Sequence, residues 1–265
     1  MDIGRLSSCT YPLRHREVEF VFRLFSEMGF KKLDLWGRPP HFSVNPQECN
    51  PAVLEDLVRQ YGIRIANIGS YPGAAFGSTS AEERAAAMQE MKATIDLAAR
   101  FGSRSIRVRP GEGEDPALIE RLVEPLQESA RYAEERGVYL GMENHIGSIT
   151  RNPKWCLQLC EAVGSKHFGV LYEPCNLLHA GEDYRKALEI FGEWVIHVHV
   201  KDGRWRNGEF QRCHLGEGEV DVKWVFDKVS AFGYEGDYAL EYEICEIEPI
   251  ETGLRKWLEF ALSLD

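Results

Sequence analysis

The chain has no apolar run approaching the roughly 18–20 residues that a helical membrane span needs. Its opening segment, MDIGRLSSCTYPLRHREVEF, lacks the apolar centre of a signal peptide. The expectation is a cytoplasmic protein with no membrane partner. There are seven cysteines, an odd number with no C-x-x-C pair, which argues against a disulfide set. Cys156 and Cys160 lie four apart on a helical pattern, as packing residues would. Free thiols in a reducing compartment are expected. No basic cluster breaks a net charge of −11, so the electrostatic footprint of a nucleic-acid binder is missing. No Pro/Gly/Ser-rich linker divides the chain, and residues 1–265 read as a single domain.

What is present is alternation. Apolar strand-like runs fall at Asp2–Ser7, Lys32–Trp36, Ile63–Ile68, Ser105–Val108, Tyr139–Met142, Phe168–Tyr172, Val195–Val200 and Tyr238–Leu240. Amphipathic helical patterns separate them, among them 16–28, 81–100, 152–163, 183–191, 222–232 and 249–262. Gly29, Gly62, Gly102, Gly137, Gly164 and Gly233 are placed to close helices shortly before strands. Eight such units in 265 residues predict a single (β/α)8 TIM barrel. A doubly wound open sheet is the alternative. It usually carries a glycine-rich phosphate loop after the first strand, where this chain has Ser7-Ser8-Cys9-Thr10-Tyr11-Pro12.

Four successive strands in the second half finish in ionisable groups. Val195-Ile196-His197-Val198-His199-Val200 runs into Lys201-Asp202, and three other runs end at Glu143, Glu173 and Glu241. In a barrel these ends share the catalytic face. Three carboxylates and an imidazole suit a divalent metal. The bland alternative for any one of the glutamates is an exposed first residue of a loop. His197 shares strand parity with His199 and is expected beneath it. Arg107 and Arg109 share parity on the fourth strand, and an inward arginine needs an anionic partner. That partner is either a carboxylate of the site or an anionic group of a substrate. Trp36, His41, Phe42 and Tyr71 follow the second and third strands and are candidates for a sugar-facing wall.

The segments Met142-Glu143-Asn144-His145, Tyr172-Glu173-Pro174-Cys175-Asn176, His197-Val198-His199-Val200-Lys201-Asp202, Leu215-Gly216-Glu217-Gly218 and Leu240-Glu241 resemble the motif set of the xylose-isomerase-like barrels. That superfamily is the sugar phosphate isomerase/epimerase group. The resemblance implies one divalent metal ion (Mn, Mg, Co or Zn) on Glu143, Glu173, His199 and Glu241. It implies that Glu143 and Glu241 exchange protons with substrate, and that Arg212 binds a substrate oxygen. Asn176, Lys201, His145, Arg109 and Trp36 complete the candidate substrate-binding set.

Two positions depart from the family pattern. Glu173 replaces the usual Asp, and Asn176 stands where ketose epimerases carry a histidine. The endonuclease branch of the superfamily is disfavoured, because its extra ligand positions are filled here by Phe210 and Arg212.

The implied activity is isomerisation or epimerisation of a small-molecule sugar or sugar-derived ketone, by proton abstraction beside a carbonyl. The alternative is a dehydratase of the inosose or 3-dehydroshikimate type, which inward arginines would favour by holding a substrate carboxylate. A phosphodiesterase and a non-catalytic subunit complete the range. Homo-oligomers are frequent among such relatives.

Overall fold

A computed structural model describes residues 3–264. Its strands are β1 (Leu6–Ser8), β2 (Lys32–Trp36), β3 (Arg64–Gly69), β4 (Ser105–Val108), β5 (Tyr139–Glu143), β6 (Phe168–Tyr172), β7 (Val195–Val200), β8 (Asp202–Arg206), β9 (Glu209–Cys213) and β10 (Tyr238–Leu240). Its helices are α1 (Val18–Met28), α2 (Pro51–Tyr61), α3 (Ala81–Phe101), α4 (Leu118–Glu134), α5 (Pro153–Val163), α6 (Pro174–His179), α7 (Tyr184–Phe191), α8 (Val222–Ala231) and α9 (Ile250–Ser263).

Eight strands form one sheet in the order β1-β10-β7-β6-β5-β4-β3-β2, and every ladder in it is parallel. The seam between β1 and β2 is joined just beyond β1 by a parallel bridge between Cys9 and Asp34. The expected (β/α)8 barrel is therefore the observed fold. Two expectations change in detail. The first strand is shorter than 2–7: Ile3–Arg5 form a 3-10 turn, and Asp2 lies outside the described residues. Residues 202–213, which fall between the expected strand and helix patterns, form the antiparallel hairpin β8–β9. Its turn is Asn207-Gly208, both at positive φ, the pairing a two-residue hairpin turn favours.

The helices start where local chemistry tells them to. Asn50 and Asn152 each cap a helix whose first residue is proline, accepting from the N–H groups of Ala52 and Lys154. Ser80 caps α3 and accepts from the Glu83 N–H, with Glu82 and Glu83 in its first turn. Such starts aim each helix back across the sheet. Its apolar stripe then covers the outward side chains of the strands, including Leu33, Leu35, Ile106, Leu140, Val198 and Val200, all fully buried.

The barrel interior is different. Barrels of this kind usually fill their axis with Val, Ile and Leu. Here Asp34 on β2 accepts from Asn67 on β3 at 2.8 Å, and Asn67 in turn accepts from Ser105 on β4 at 2.8 Å. His197 reaches Asp34 from β7, a strand that is not its sheet neighbour, so the contact crosses the barrel axis. A polar network this deep must be fully bonded to be tolerated. It forms the floor beneath the site.

Candidate metal centre and active-site cavity

The four strand-end residues come to one face, on the neighbours β5, β6, β7 and β10. Glu143 ends β5, His199 is the middle member of the axis-facing His197-His199-Lys201 series, and Glu173 and Glu241 directly follow β6 and β10. The Glu241 N–H donates to the Val200 carbonyl at 2.9 Å, which continues the ladder and fixes Glu241 beside β7.

Three of the four side chains converge. His199 Nδ1 lies 3.6 Å from Glu143 Oε1 and 3.6 Å from Glu241 Oε2. These ligand atoms all lie within 4.8 Å of one another. His199 Nδ1 is buried and has no hydrogen-bond partner among the described residues. Its other nitrogen, Nε2, donates to Asp34 Oδ2 at 3.1 Å, and His197 Nε2 meets the same oxygen at 2.6 Å. An orphaned imidazole nitrogen between two carboxylates, with its opposite N–H held by a third, is the arrangement a metal-binding histidine takes. The donor set fits a divalent cation.

Glu173 does not join this group. Its Oε1 accepts from the Cys175 N–H at 3.0 Å and its Oε2 from the Asn176 N–H, so it is the N-cap of α6. The nearest ammonium, Lys201 Nζ, is 3.9 Å away. Asn176 donates to the Asn144 carbonyl at 3.2 Å and lies 3.4 Å from Glu143 Oε1, supporting that carboxylate from behind.

The charges are held by specific partners. Burial acts to raise the Glu143 pKa, but the Arg107 guanidinium at 2.8 Å outweighs it and lowers the value to about 2. For Glu241 burial is likewise overcome, here by Lys201 at 2.6 Å and by His199, and the pKa falls well below the usual carboxylate range. Asp34 is also held low, against burial, by His197 and His199. Burial disfavours a charged His199, yet Cys9, Glu241 and Asp34 together push its pKa well above the ordinary imidazole value. Glu173 goes the other way: burial raises it to about 8 despite Lys201.

A cavity of about 320 Å³ opens above these groups. Trp36, Tyr71, Arg109, His145 and Lys201 line it, along with Glu143, His199 and Glu241. His145 is exposed, and its Nδ1 lies 2.6 Å from the Ile146 carbonyl. Arg109 pairs with Glu112 at 2.7 Å. Of the expected aromatic wall, His41 and Phe42 are buried behind the lining, and His41 bonds Thr10 and the Arg16 carbonyl. Arg212 is likewise not part of the lining. It pairs at 2.7 Å with Glu243, which does line the cavity.

Of the two partners open to an inward arginine, Arg107 takes the carboxylate of the site. It also donates to the carbonyls of Ser70 at 3.2 Å and Gly69 at 2.9 Å, and it stacks on Tyr71 at 4.2 Å. Asp202, the last of the ionisable run that follows β7, accepts from the N–H groups of Gly203, Gly216, Gly218 and Val220 at 2.8–3.0 Å. It ties down the loop that follows the hairpin.

Asp34 and Glu243 carry much of this geometry and are not evident from the sequence. Asp34 had a signal, a carboxylate of Trp36 parity in the middle of an apolar strand. Glu243 had another, the Glu-x-Glu repeat with Glu241.

An eight-stranded parallel barrel with a carboxylate–imidazole cluster at the strand C-termini defines a class of TIM-barrel proteins with a potential metal site. The chain belongs to the xylose isomerase-like TIM barrel family, whose model matches residues 22–263. Curated relatives include a putative hydroxypyruvate isomerase of Streptomyces coelicolor, 25% identical over 81% of this chain and 81% of the relative. A fructoselysine 3-epimerase of Shigella flexneri is 24% identical over 84% of each chain. An inosose dehydratase of Geobacillus thermodenitrificans matches at 27% over 46% of each. Among solved structures, the IOLI protein with a bound zinc atom superposes with a TM-score of 0.82, at 14% identity over 98% of this chain and 97% of that one. Among the described residues no helix is long and apolar enough to cross a membrane.

Proposed function

We propose that this chain is a divalent-metal-dependent isomerase or epimerase acting on a sugar or sugar-derived ketone. The observation that carries the reading is the buried, unpartnered His199 Nδ1 set between Glu143 and Glu241. Glu143, His199 and Glu241 would hold the cation. Glu173 would join only by giving up its cap on α6. A divalent cation there supplies Lewis acidity toward a carbonyl oxygen and stabilises an enediolate without a proton.

The residues of the chain do the rest. Arg107 and Lys201 keep the two glutamates ionised and fix their direction. An ionised carboxylate beside the substrate accepts the proton from the carbon next to the carbonyl, and the electron pair moves into the enediolate. Delivery of a proton to the opposite face of that carbon, by the other glutamate after it takes one up from solvent, gives the epimer. Return to the neighbouring carbon gives the aldose–ketose isomer. Asn176 and Asp34 hold Glu143 and His199 in place meanwhile.

Dehydration is the second reading. The buried Lys201 ammonium lines the cavity beside Glu241 and is a proton donor that could assist departure of a β-hydroxyl. Inosose dehydratases among the relatives favour keeping it.

The test combines metal analysis of the purified protein with proton NMR in D2O on a panel of ketoses and inosose. Stoichiometric metal together with deuterium incorporated at one carbon supports enolisation. New product with loss of water points to the lyase. A protein that retains no added metal sinks the reading.

A further inference from the structure

The site's cations are already spent. Arg107 gives Nε, Nη1 and Nη2 to Ser70, Glu143 and Gly69, and Tyr71 covers its face. Lys201 Nζ sits among Glu241, Glu243 and Glu173 at 2.6, 3.0 and 3.9 Å. Only Arg109 remains among the cationic arginines and lysines that line the cavity, and it is partly exposed and paired with Glu112.

A second observation concerns backbone rather than side chains. Barrels commonly bind phosphate in the loops after their seventh and eighth strands. In this chain the seventh barrel strand leads into the β8–β9 hairpin and then the Leu215–Val220 loop. That loop turns three N–H groups toward one point, those of Gly216, Gly218 and Val220, as an anion-binding nest does. The point is filled by the carboxylate of Asp202, at 2.9–3.0 Å from each nitrogen. Gly218 has no room for a side chain, since a Cβ would collide with that carboxylate and with the Gly203 carbonyl. After the eighth barrel strand the chain presents Glu241, Glu243, Glu246 and Glu248. The ordinary phosphate position is thus internally occupied on one side and acidic on the other.

We infer that the cavity takes an uncharged polyhydroxy ketone and rejects phosphate monoesters and carboxylate-bearing ketones. This rests on the enolisation reading above. A phosphate or carboxylate would enter beside carboxylates already paired, with Arg107 and Lys201 held by the site's own groups and Arg109 paired with Glu112. The wall toward solvent suits a neutral polyol: Tyr11, Trp36, Tyr71 and Ile146 offer apolar faces, and Ser148 and Thr150 offer hydroxyls.

The experiment is deuterium exchange in D2O on matched pairs: fructose against fructose 6-phosphate, ribulose against ribulose 5-phosphate, and dihydroxyacetone against hydroxypyruvate. The free ketose of at least one pair is expected to exchange, with kcat/KM roughly 100-fold or more above its charged partner. Exchange confined to the charged members would overturn this inference and leave enolisation standing. No exchange with any member would overturn both. A readout without turnover is the thermal midpoint of the chelator-treated protein against inorganic phosphate. No saturable shift is expected, and a saturable rise would overturn the inference.

Discussion

Asp34 Oδ2 lies 3.1 Å from His199 Nε2 and 2.6 Å from His197 Nε2, joining β2 to β7 across the barrel axis. Because Asp34 is held ionised, it takes the Nε2 proton of His199 as a hydrogen bond, and it leaves Nδ1 as the nitrogen that faces Glu143 and Glu241. An oriented imidazole binds a cation more tightly than a free one. Asp34→Asn should therefore weaken metal binding by roughly 10–100-fold while keeping the far-UV spectrum. Competition against a chromogenic chelator measures this. Unchanged affinity would show that Asp34 does not set the tautomer.

The sequence carried some of this site openly and hid the rest. His199 was legible because a β-branched strand ending in His-x-His-x-Lys-Asp has no reason to be polar unless those groups meet others. Glu143 and Glu241 were legible for the same reason, as carboxylates at strand ends. Asp34 showed only as a carboxylate inside an apolar strand, because the two histidines it meets lie more than 160 residues away in the chain. Glu173 shows the limit of reading strand ends. A carboxylate before proline is equally a helix N-cap, and Glu173-Pro174 is one. The same ambiguity hid the hairpin. Asn207-Gly208 announces a turn, but the strands around it, Asp202–Arg206 and Glu209–Cys213, are largely polar and give no apolar alternation. The fold was more legible than the site because apolar periodicity repeats eight times, whereas each cross-barrel contact occurs once.

Asp202 organises a loop rather than a substrate. Its four accepted N–H bonds are local in sequence only for Gly203, and the others fix residues 14–18 positions away. Asp202→Ala should cost roughly 2–4 kcal/mol, since buried N–H groups lose a charged acceptor. Urea denaturation reads the loss. Gly218→Ala should destabilise comparably, because the new methyl group contacts the same carboxylate. A wild-type midpoint in both variants would mean that the loop is not held this way.

The thiols should be inert in the folded protein. Cys9, Cys49, Cys156, Cys160, Cys175 and Cys213 are buried, and Cys245 is half-buried. Burial raises the Cys9 thiol to about 12 and Cys213 to about 11, and lifts Cys156, Cys160 and Cys175 further. The thiolate is the reactive form, so reaction with a thiol reagent near pH 8 is slow where the pKa is raised. Cys245 should react first, and denaturant should release the full complement of seven thiols. Rapid labelling of several thiols without denaturant would contradict the packing described.

Glu143 and Glu241 flank His199 alike but differ in what they leave behind when neutralised. Among the described residues, Glu143 is the only carboxylate within salt-bridge distance of the buried Arg107, and Glu143→Gln removes it. Glu241→Gln leaves Lys201 with Glu243 at 3.0 Å and Glu173 at 3.9 Å. An uncompensated buried charge costs more than a lost member of a cluster. Glu143→Gln should lower stability by roughly 2–3 kcal/mol, and Glu241→Gln by about 1 kcal/mol. Both should lose deuterium exchange by roughly 100-fold or more, because an amide does not accept the substrate proton. Denaturation midpoints and exchange rates measured on the same two preparations separate the effects. If Glu241→Gln exchanged deuterium at the wild-type rate, the carboxylate pair could not be the proton-transfer machinery.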